Sequence, residues 1–491
     1  MFVAGHAENG MTAEKTKILT PNAVRRYCGD LPVLHAAEVT VGGTTSIGAA
    51  GTVNLTGGRF EFGQTTLAEF STINATGGAL AGNVTITGVN DVASLAALQN
   101  SAVDLNDVAA VNEGLLHGSA ILNSSLDNQA SGELRTVASD WVRFEGLNNT
   151  NAGTIKNFGG QVDFAQNFTN QTGGDINNFG GQMDFAQDMT NESDGFIGGQ
   201  DVFFRFGGGL TNNGDIGLSV GTHNILGAIA NTETGRIMVA GQSTATFYGN
   251  VTNDGDIFTG EGSQSVFLGD VSGGGNFPGT GIVEFAGAIS PGSSPAEISF
   301  GGDVVLGSSA EMKIELGGTV RGDEYDAMIV GGDFTLDGSL DVLAIGGFVP
   351  QAGDLFDIFD FEPANLSGLF DVVNLPALAS DMEWDQSNLY TTGELLVSLS
   401  QIAGDFDSDG DVDGDDFLLW QRNFPVLDGT AGSSSGDANG DGNVDGDDFL
   451  VWQRNFPYST AISSVPEPNS LALLVLGGLM MLKRPNINQC R

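Results

Sequence analysis

The chain has 491 residues, of which 74 are glycine, 61 are Asp or Glu and 17 are Lys or Arg, so its formal net charge is −44 at pH 7. This charge excludes binding to nucleic acid or anionic lipid through phosphate contacts, because both would repel the protein. The apolar share of 40% is ordinary and excludes global disorder, and the length allows several domains.

Residues 1–36 are predicted to be a leader or a disordered segment. They contain basic residues but no apolar run long enough for the hydrophobic region of a secretory signal. Either export uses an unusual signal, or the recorded start misplaces the true leader. We favour the second interpretation.

Residues 37–290 carry an internal repeat of about twenty residues. A Gly-x-apolar marker recurs at intervals of 19 to 21 residues and begins at Gly132, Gly153, Gly174, Gly195, Gly214, Gly235, Gly255 and Gly275. Segments 157–170 and 178–191 are almost the same peptide. Self-similarity at this period, in a chain rich in Gly, Asn and alternating β-formers, predicts a right-handed β-solenoid.

Each coil is predicted to be a triangle of three short strands, with Gly or Asn at corners that need positive φ. Equivalent residues should stack between coils about 4.8 Å apart. A predicted core column contains Phe144, Phe164, Phe185, Phe204, Ile225, Phe247 and Phe267. A predicted amide row contains Asn151, Asn170, Asn191, Asn212, Asn231 and Asn253. We interpret the aromatic column as core packing and not as a carbohydrate-stacking platform.

β-Helices also host pectate lyases and polygalacturonases, whose sites need clustered Asp with Arg, Lys or His on adjacent coils. Basic residues such as Lys156, Arg205 and Arg236 are not expected to share a column with two carboxylates. Asp163 and Asp184 occupy equivalent positions on neighbouring coils. They are candidates for a carboxylate dyad or a further calcium site, or are simply a repeated solvent-facing residue. We therefore expect a protein that is not an enzyme.

Residues 291–398 are predicted to be a β-rich cap of hairpins, with strands at Asp303–Leu306, Glu311–Leu316, Ala327–Val330, 333–336 and Ser339–Ala344. Segments 290–295 (Ser-Pro-Gly-Ser-Ser-Pro), 324–326 (Glu-Tyr-Asp) and 388–390 (Asn-Leu-Tyr) follow in that order. This order resembles the terminal segment of autotransporter-like and PEP-CTERM-associated surface proteins. The resemblance implies a segment that closes an adhesin-type solenoid, whose open end would expose strand edges.

Segments 404–425 and 436–457 agree at 17 of 22 positions. Each begins with a twelve-residue loop with Gly at position 6 and Val at position 8, and the first loop holds seven carboxylates while the second holds five. Oxygen donors at this spacing predict two Ca²⁺ sites, with position 7 contributing its backbone carbonyl. The predicted ligands are Asp405, Asp407, Asp409, Asp411, Asp413 and Asp416 in the first loop, and Asp437, Asn439, Asp441, Asn443, Asp445 and Asp448 in the second.

Each loop is followed by a short predicted helix with Phe and Trp on one face, which Pro425 or Pro457 ends. Residues 394–398 are predicted to be a strand, so no helix enters the first loop. Tandem loop–helix units with Asp at position 12 resemble a type I dockerin, which implies docking onto a cohesin-like domain. Positions 10 and 11 are Gly-Asp here, where that family often has Ser or Thr. Trp420 and Trp452 are predicted to anchor the helices to each other.

Residues 465–491 combine Pro-Glu-Pro at 466–468, an apolar run at 471–482 and a basic pair at 483–484. As a helix the run would span roughly 18 Å, against a hydrocarbon core of about 30 Å. The order of these parts resembles the PEP-CTERM sorting signal. The resemblance implies processing by an exosortase-type enzyme, transient membrane contact through 471–482 and export to the cell surface.

The sequence therefore predicts a mainly-β chain with a β-solenoid at 37–290, a cap at 291–398, a small helical calcium-binding domain at 404–457 and a short C-terminal hydrophobic helix. The expected function is that of an exported cell-surface or extracellular-matrix scaffold or adhesin. Its expected partners are a cohesin-like domain or a surface polysaccharide. A polysaccharide-degrading enzyme with a dockerin and a carbohydrate-binding protein remain open alternatives.

Overall fold

The computed structural model describes residues 109–122, 124–292, 295–380, 382–400 and 402–459, together with the backbone of eight strands between residues 17 and 91. The chain divides into two compact units, one of residues 1–379 and 384–398 and the other of residues 380–383 and 399–491. The predicted sorting signal at 465–491 lies outside the described residues, as does most of the segment 1–36.

The first unit is a β-solenoid in which each coil adds one strand to each of three parallel sheets, here called faces 1, 2 and 3. Face 1 has nine strands: Val89–Asp91, Leu115–His117, Glu133–Val137, Thr154–Phe158, Asp175–Phe179, Phe196–Gln200, Asp215–Ser219, Arg236–Ala240 and Asp256–Thr259. Face 2 has twelve: Ala120–Leu122, Trp141–Phe144, Gln161–Phe164, Gln182–Phe185, Phe203–Phe206, Thr222–Leu226, Thr244–Phe247, Gln264–Phe267, Ile282–Phe285, Asp303–Leu306, Phe334–Leu336 and Leu366–Gly368.

Face 3 belongs to an 18-stranded sheet. From residue 109 onward its strands are Ala109–Asn112, Ser125–Asn128, Asn148–Asn151, Asn167–Asn170, Met189–Asn191, Leu210–Asn212, Ile229–Asn231, Val251–Asn253, Val271–Gly273, Ala288–Pro291, Glu311–Leu316, Ser339–Ala344 and Val372–Asn374. The earlier strands are Lys17–Leu19, Arg25–Tyr27, Glu38–Ile47, Thr52–Leu55, Gly58–Leu67, Thr72–Ala75 and Gly78–Ile86. The predicted three-stranded coil is confirmed, and its handedness stays a prediction.

Side chains alternate between the core and solvent along each strand, as the period of two requires. On face 1 the inward position of each marker is apolar, and Ile155, Ile176 and Ile197 are all fully buried. These residues are direct neighbours across the parallel sheet, Ile155 with Ile176 and Ile176 with Ile197. The twenty-residue period therefore places one apolar residue above another on each coil.

The predicted aromatic column is correct over its first three members and wrong at the fourth. Phe144, Phe164 and Phe185 stack with ring centroids 5.3 and 5.4 Å apart, but the next ring in the stack is Phe206, at 5.6 Å. Phe204 instead pairs with Met183 and leads into a separate column. Strand Phe203–Phe206 has two inward phenylalanines, and intervals of 19 and 21 residues both fit the period, so spacing alone could not choose between them.

The predicted amide row is confirmed and is longer than expected, because Asn112 and Asn128 also belong to it. Each asparagine donates from Nδ2 to Oδ1 of the next coil's asparagine at 2.7 or 2.8 Å, from Asn112 through to Asn253. All of these side chains are at most 1% exposed. Since unpaired buried amides are costly, the row pins the register of neighbouring coils.

We expect Asn191→Leu to lower the free energy of unfolding by about 2–5 kcal/mol. The substitution removes the acceptor of Asn170 and the donor of Asn212, both of which are buried. The outward neighbour on the same strand, Thr190, provides a matched control as Thr190→Val. Chemical denaturation measures the difference, and equal losses in the two variants would contradict a special role for the amide row.

The predicted hairpins between residues 303 and 344 are wrong. Asp303–Leu306 joins face 2 and Glu311–Leu316 joins face 3, and each pairs in parallel with the preceding coil. A short turn at 307–310 therefore moves the chain from one face to the next and does not reverse it within a sheet. The solenoid thus continues to Val372–Asn374, and Val304 pairs with Phe334 across 30 residues, so the longer coils hid the repeat.

A smaller parallel sheet of Glu297–Phe300, Ala327–Val330 and Phe359–Asp360 runs beside these last coils. Antiparallel pairing within the first unit is limited, among the described strands, to a three-stranded sheet of Leu355–Asp357, Glu394–Leu399 and Met382–Asp385. A 3₁₀ turn occupies Pro363–Asn365.

Asp326 is a fully buried carboxylate in this region. Its Oδ1 accepts the backbone N–H of Ala296 at 2.8 Å, and its Oδ2 accepts that of Glu315 at 2.9 Å. Burial raises the pKa of Asp326 from 3.8 to about 7, although these two hydrogen bonds oppose the shift. The side chain links two connecting segments at the cost of holding a charge away from water.

The raised pKa of Asp326 predicts a pH dependence of stability. Because the folded state binds this proton more tightly than the unfolded state, the contribution of Asp326 to stability falls as pH rises from about 4 to about 7. Three pKa units correspond to a change on the order of 4 kcal/mol. Denaturation of the wild type and of Asp326→Asn at pH 4.5 and pH 8 measures it, and an unchanged difference between the two proteins at both pH values would contradict the prediction.

The second unit contains helices α1 (Gly414–Asn423) and α2 (Gly446–Asn455), which follow the two candidate loops as predicted. A 3₁₀ turn at Ser433–Ser435 precedes the second loop. Strand Asp411–Val412 pairs in antiparallel fashion with Tyr458–Ser459, beyond α2, and Val444 forms the matching bridge with Val426, beyond α1. Each half of the duplication therefore completes the other.

Candidate metal centre

The first loop, residues 405–416, is folded by its own aspartates. Asp405 Oδ2 accepts the backbone N–H of Gly410 at 3.0 Å. Asp407 Oδ1 accepts that of Asp409 at 3.3 Å, and Asp409 Oδ1 accepts that of Asp411 at 3.1 Å. Gly410 has a φ of 94°, in the left-handed region that favours glycine. The chain therefore turns back at position 6, as the spacing predicts.

Asp416, at position 12, closes the loop from the first turn of α1. It is 1% exposed, and its Oδ1 accepts the Phe406 N–H at 2.6 Å while its Oδ2 accepts the Asp413 N–H at 2.8 Å. Asp413 is the N-cap of α1 and accepts the Asp415 N–H at 2.7 Å. This reciprocal capping box starts the helix and holds Asp416 against the loop.

The carboxylates of the first loop converge. Ligand oxygens of Asp405, Asp407 and Asp416 lie within 4.8 Å of one another, and so do those of Asp411, Asp413 and Asp416. Burial, reinforced by the neighbouring carboxylates, raises the pKa of Asp407 and of Asp411. A cation among these oxygens would remove the mutual repulsion. Asp409 belongs to neither group, although it is a predicted ligand.

Two oxygens in this loop test whether a cation fits. Asp405 Oδ1 and Asp411 Oδ1 are buried and accept no hydrogen bond from the described residues. Buried polar atoms are normally satisfied, and an unsatisfied carboxylate oxygen is especially costly. The donor set is all oxygen, which suits a hard cation. The sequence assigned only a backbone carbonyl to position 7, whereas the structure also directs the Asp411 side chain toward Asp413 and Asp416.

The second loop repeats this folding. Asp437 is 4% exposed and accepts the N–H groups of Gly440 and Gly442, both at 2.8 Å. Asp448 is fully buried and accepts the Ala438 N–H at 2.9 Å and the Asp445 N–H at 2.7 Å. Among the described residues, groups of three converging carboxylates occur only in the first loop, because the second has amides at 439 and 443.

Those two amides also serve the turn, since Asn439 Oδ1 accepts the Asp441 N–H at 2.9 Å and Asp441 Oδ1 accepts the Asn443 N–H at 2.8 Å. The second loop therefore has the same backbone path with less charge. A bound cation would find fewer anionic ligands there, so we expect the second site to be the weaker one.

The two loop–helix halves hold each other in position. Trp420 Nε1 on α1 donates to the Asp445 carbonyl of the second loop, and Trp452 Nε1 on α2 donates to the Asp413 carbonyl of the first, both at 2.9 Å. The Trp420–Phe449 and Phe417–Trp452 ring centroids are 5.2 Å apart. The predicted anchoring role of the two tryptophans is confirmed, and it couples the shape of each loop to the other half.

A different polar cluster lies on face 2, where one sequence expectation is wrong. Arg143 is the register neighbour of Asp163, Asp163 of Asp184, and Asp184 of Arg205, so two basic residues do share a column with two carboxylates. Arg143 is 20 residues before Asp163 and Arg205 is 21 after Asp184. The repeat period was therefore the signal that could have found this column.

The Asp163 and Asp184 side chains turn to different partners. Asp163 accepts hydrogen bonds from Trp141 Nε1 and from Gln161 Nε2, whereas Asp184 pairs with Arg205 at 2.7 Å. With both Asp163 oxygens engaged by N–H donors, the pair is poorly arranged to share a cation. This geometry argues against the proposed further calcium site.

No protein-family model matches this chain, and a search of curated proteins also gives no match. Within the described part of the chain, no helix has the length and apolar character needed to cross a membrane. The predicted hydrophobic helix at 471–482 lies outside the described residues.

We expect the paired substitution Asp405→Asn and Asp437→Asn to weaken Ca²⁺ binding at least about tenfold, because it removes one charged ligand from each loop. Asp415→Asn with Asp447→Asn is the matched control: it makes the same charge change at position 11 of each loop, outside the converging groups. Calorimetric titration of the full chain measures both affinities. Similar losses in the two variants would indicate a general charge effect and no site.

Proposed function

We propose that the second unit binds two Ca²⁺ ions, one in each loop, and that this binding stabilises a docking module. The observation that supports the proposal most directly is the pair of buried, unpartnered oxygens of Asp405 and Asp411, which lie beside the converging carboxylates. In the second loop, Asp437 and Asp448 hold the equivalent buried positions. Six to eight oxygen ligands in a flexible loop suit Ca²⁺ better than the smaller and more rigid Mg²⁺.

The ligands in this proposal are those of the loop spacing. The first ion would be held by Asp405, Asp407, Asp409, Asp411, Asp413 and Asp416, and the second by Asp437, Asn439, Asp441, Asn443, Asp445 and Asp448. A bound cation would neutralise seven carboxylates crowded into twelve residues in the first loop. Since each loop contacts the helix of the other half, such neutralisation would stabilise the whole unit.

We infer that the chain is an exported cell-surface or matrix protein without enzymatic activity, in which the solenoid is the scaffold and the calcium module provides attachment. The parallel coils give a long, regular surface. The tandem loop–helix units, which resemble a dockerin, suit docking to a cohesin-like domain, and the C-terminal motif suits exosortase-type processing. A surface polysaccharide is the other partner that we consider for attachment.

Attachment should depend on calcium. We expect the purified full chain to bind envelope preparations of its source organism in millimolar Ca²⁺ and to be released by a chelator. The Asp405→Asn and Asp437→Asn protein should not bind, whereas the Asp415→Asn and Asp447→Asn protein should. Attachment that survives the chelator would sink the docking proposal. Release of reducing ends or unsaturated products from pectin, alginate or sulfated glycans would overturn the non-enzymatic assignment.

A further inference from the structure

The outward side of face 2 carries a strip of polar and aromatic residues across four successive coils. The strip is defined by Trp141, Arg143, Gln161, Asp163, Asp184 and Arg205. Its ends are three coil spacings apart, or about 14 Å. It belongs to the first unit, and nothing in the calcium proposal assigns a role to it.

One end of the strip holds an indole in a fixed orientation. Trp141 is 40% exposed, yet its Nε1 donates to Asp163 Oδ2 at 2.9 Å. Gln161 Nε2 donates to the same carboxylate at 2.9 and 3.0 Å, and Asp163 itself is only 5% exposed. A large exposed ring that is oriented by a buried hydrogen bond is preorganised to bind a flat apolar face.

The other end of the strip has an unmet need for a hydrogen-bond donor. Arg205 donates to Asp184 Oδ2 at 2.7 Å, but Asp184 Oδ1 is buried and accepts no hydrogen bond from the described residues. The guanidinium of Arg205 is about half exposed and retains further donors. An incoming hydroxyl group could donate to Asp184 Oδ1 and accept from Arg205 at the same time.

A second aromatic surface borders the strip at the corner between faces 1 and 2. Phe158 and Phe179 stack with centroids 5.2 Å apart and an interplanar angle of 10°, and Phe158 is 43% exposed. Only Gly159 and Gly160 separate Phe158 from Gln161. Exposed rings therefore lie beside fixed hydrogen-bonding groups over several coils.

These features select one ligand chemistry. A sugar presents hydroxyl groups to carboxylate, amide and guanidinium groups and a C–H face to aromatic rings, which is how polar groups and rings combine in ligand sites. A metal ion is disfavoured because both Asp163 oxygens already accept N–H donors and Arg205 lies against Asp184. The net charge of −44 disfavours acidic glycans, so the ligand should be neutral.

We propose that this strip binds a neutral polysaccharide whose chain crosses successive coils of the solenoid. Trp141 stacks against a sugar ring, and Asp184 with Arg205 binds the hydroxyl groups of another sugar further along the chain. Arg143, which forms an ion pair with Glu145, adds a donor in the same column. The site needs no calcium, because none of its residues belongs to the loops.

Affinity electrophoresis of the full chain through gels containing xyloglucan, glucomannan, laminarin or soluble starch tests the proposal, with alginate and polygalacturonate as acidic comparisons. We expect retardation by at least one neutral polysaccharide and by neither acidic one, with and without a chelator. No retardation by any of the four neutral polysaccharides would overturn the proposal. Loss of retardation in chelator alone would also overturn it, because the binding would then belong to the calcium module.

Two variants assign the binding to the strip. Trp141→Ala and Asp184→Asn should each weaken retardation at least tenfold. Tyr248→Ala removes an exposed aromatic residue outside the strip, and Glu284→Gln removes another outward carboxylate of face 2, and both should bind as the wild type does. Equal effects in strip and control variants would overturn the assignment. Thermal unfolding of every variant excludes loss of fold as the cause of weaker binding.

Discussion

Register between successive coils is the constraint on which this molecule depends. Parallel pairing brings equivalent positions of neighbouring coils together, so a repeated side chain meets its own copy. The stacked rings of Phe144, Phe164 and Phe185 and the hydrogen-bonded amides that end at Asn253 require the same alignment. A slip by one residue would move both sets to the solvent side. The outward column with Asp163 and Asp184 inherits its order from that internal alignment.

Sequence periodicity was enough to predict the solenoid, its three strands per coil and the amide row, because each rests on a spacing that repeats many times. It was not enough where the spacing changes. Phe204 and Phe206 both fit the period, and only the packing of the strand shows which ring continues the stack. Between residues 303 and 344 the coils lengthen, so turns between faces looked like hairpins.

The candidate calcium loops were predicted from local spacing, since all the expected ligands of one loop lie within twelve residues. What spacing could not show is how the two halves depend on each other through Trp420 and Trp452, whose partners lie 25 and 39 residues away. The strip on face 2 was missed for a related reason. Its members are about twenty residues apart, and no single coil contains enough of them to suggest a site.

The amide row has a direction, because every asparagine side chain from Asn112 onward donates toward the following coil and accepts from the one before it. Their dipoles consequently add head to tail along the stack. Each coil thus presents the same donor on one side and the same acceptor on the other. A whole coil can be duplicated or deleted without leaving a mismatched group, and the near-identity of 157–170 and 178–191 is what a recent duplication of this kind would produce. Changes in the number of such interchangeable modules therefore offer an easy evolutionary route to longer or shorter variants of the protein.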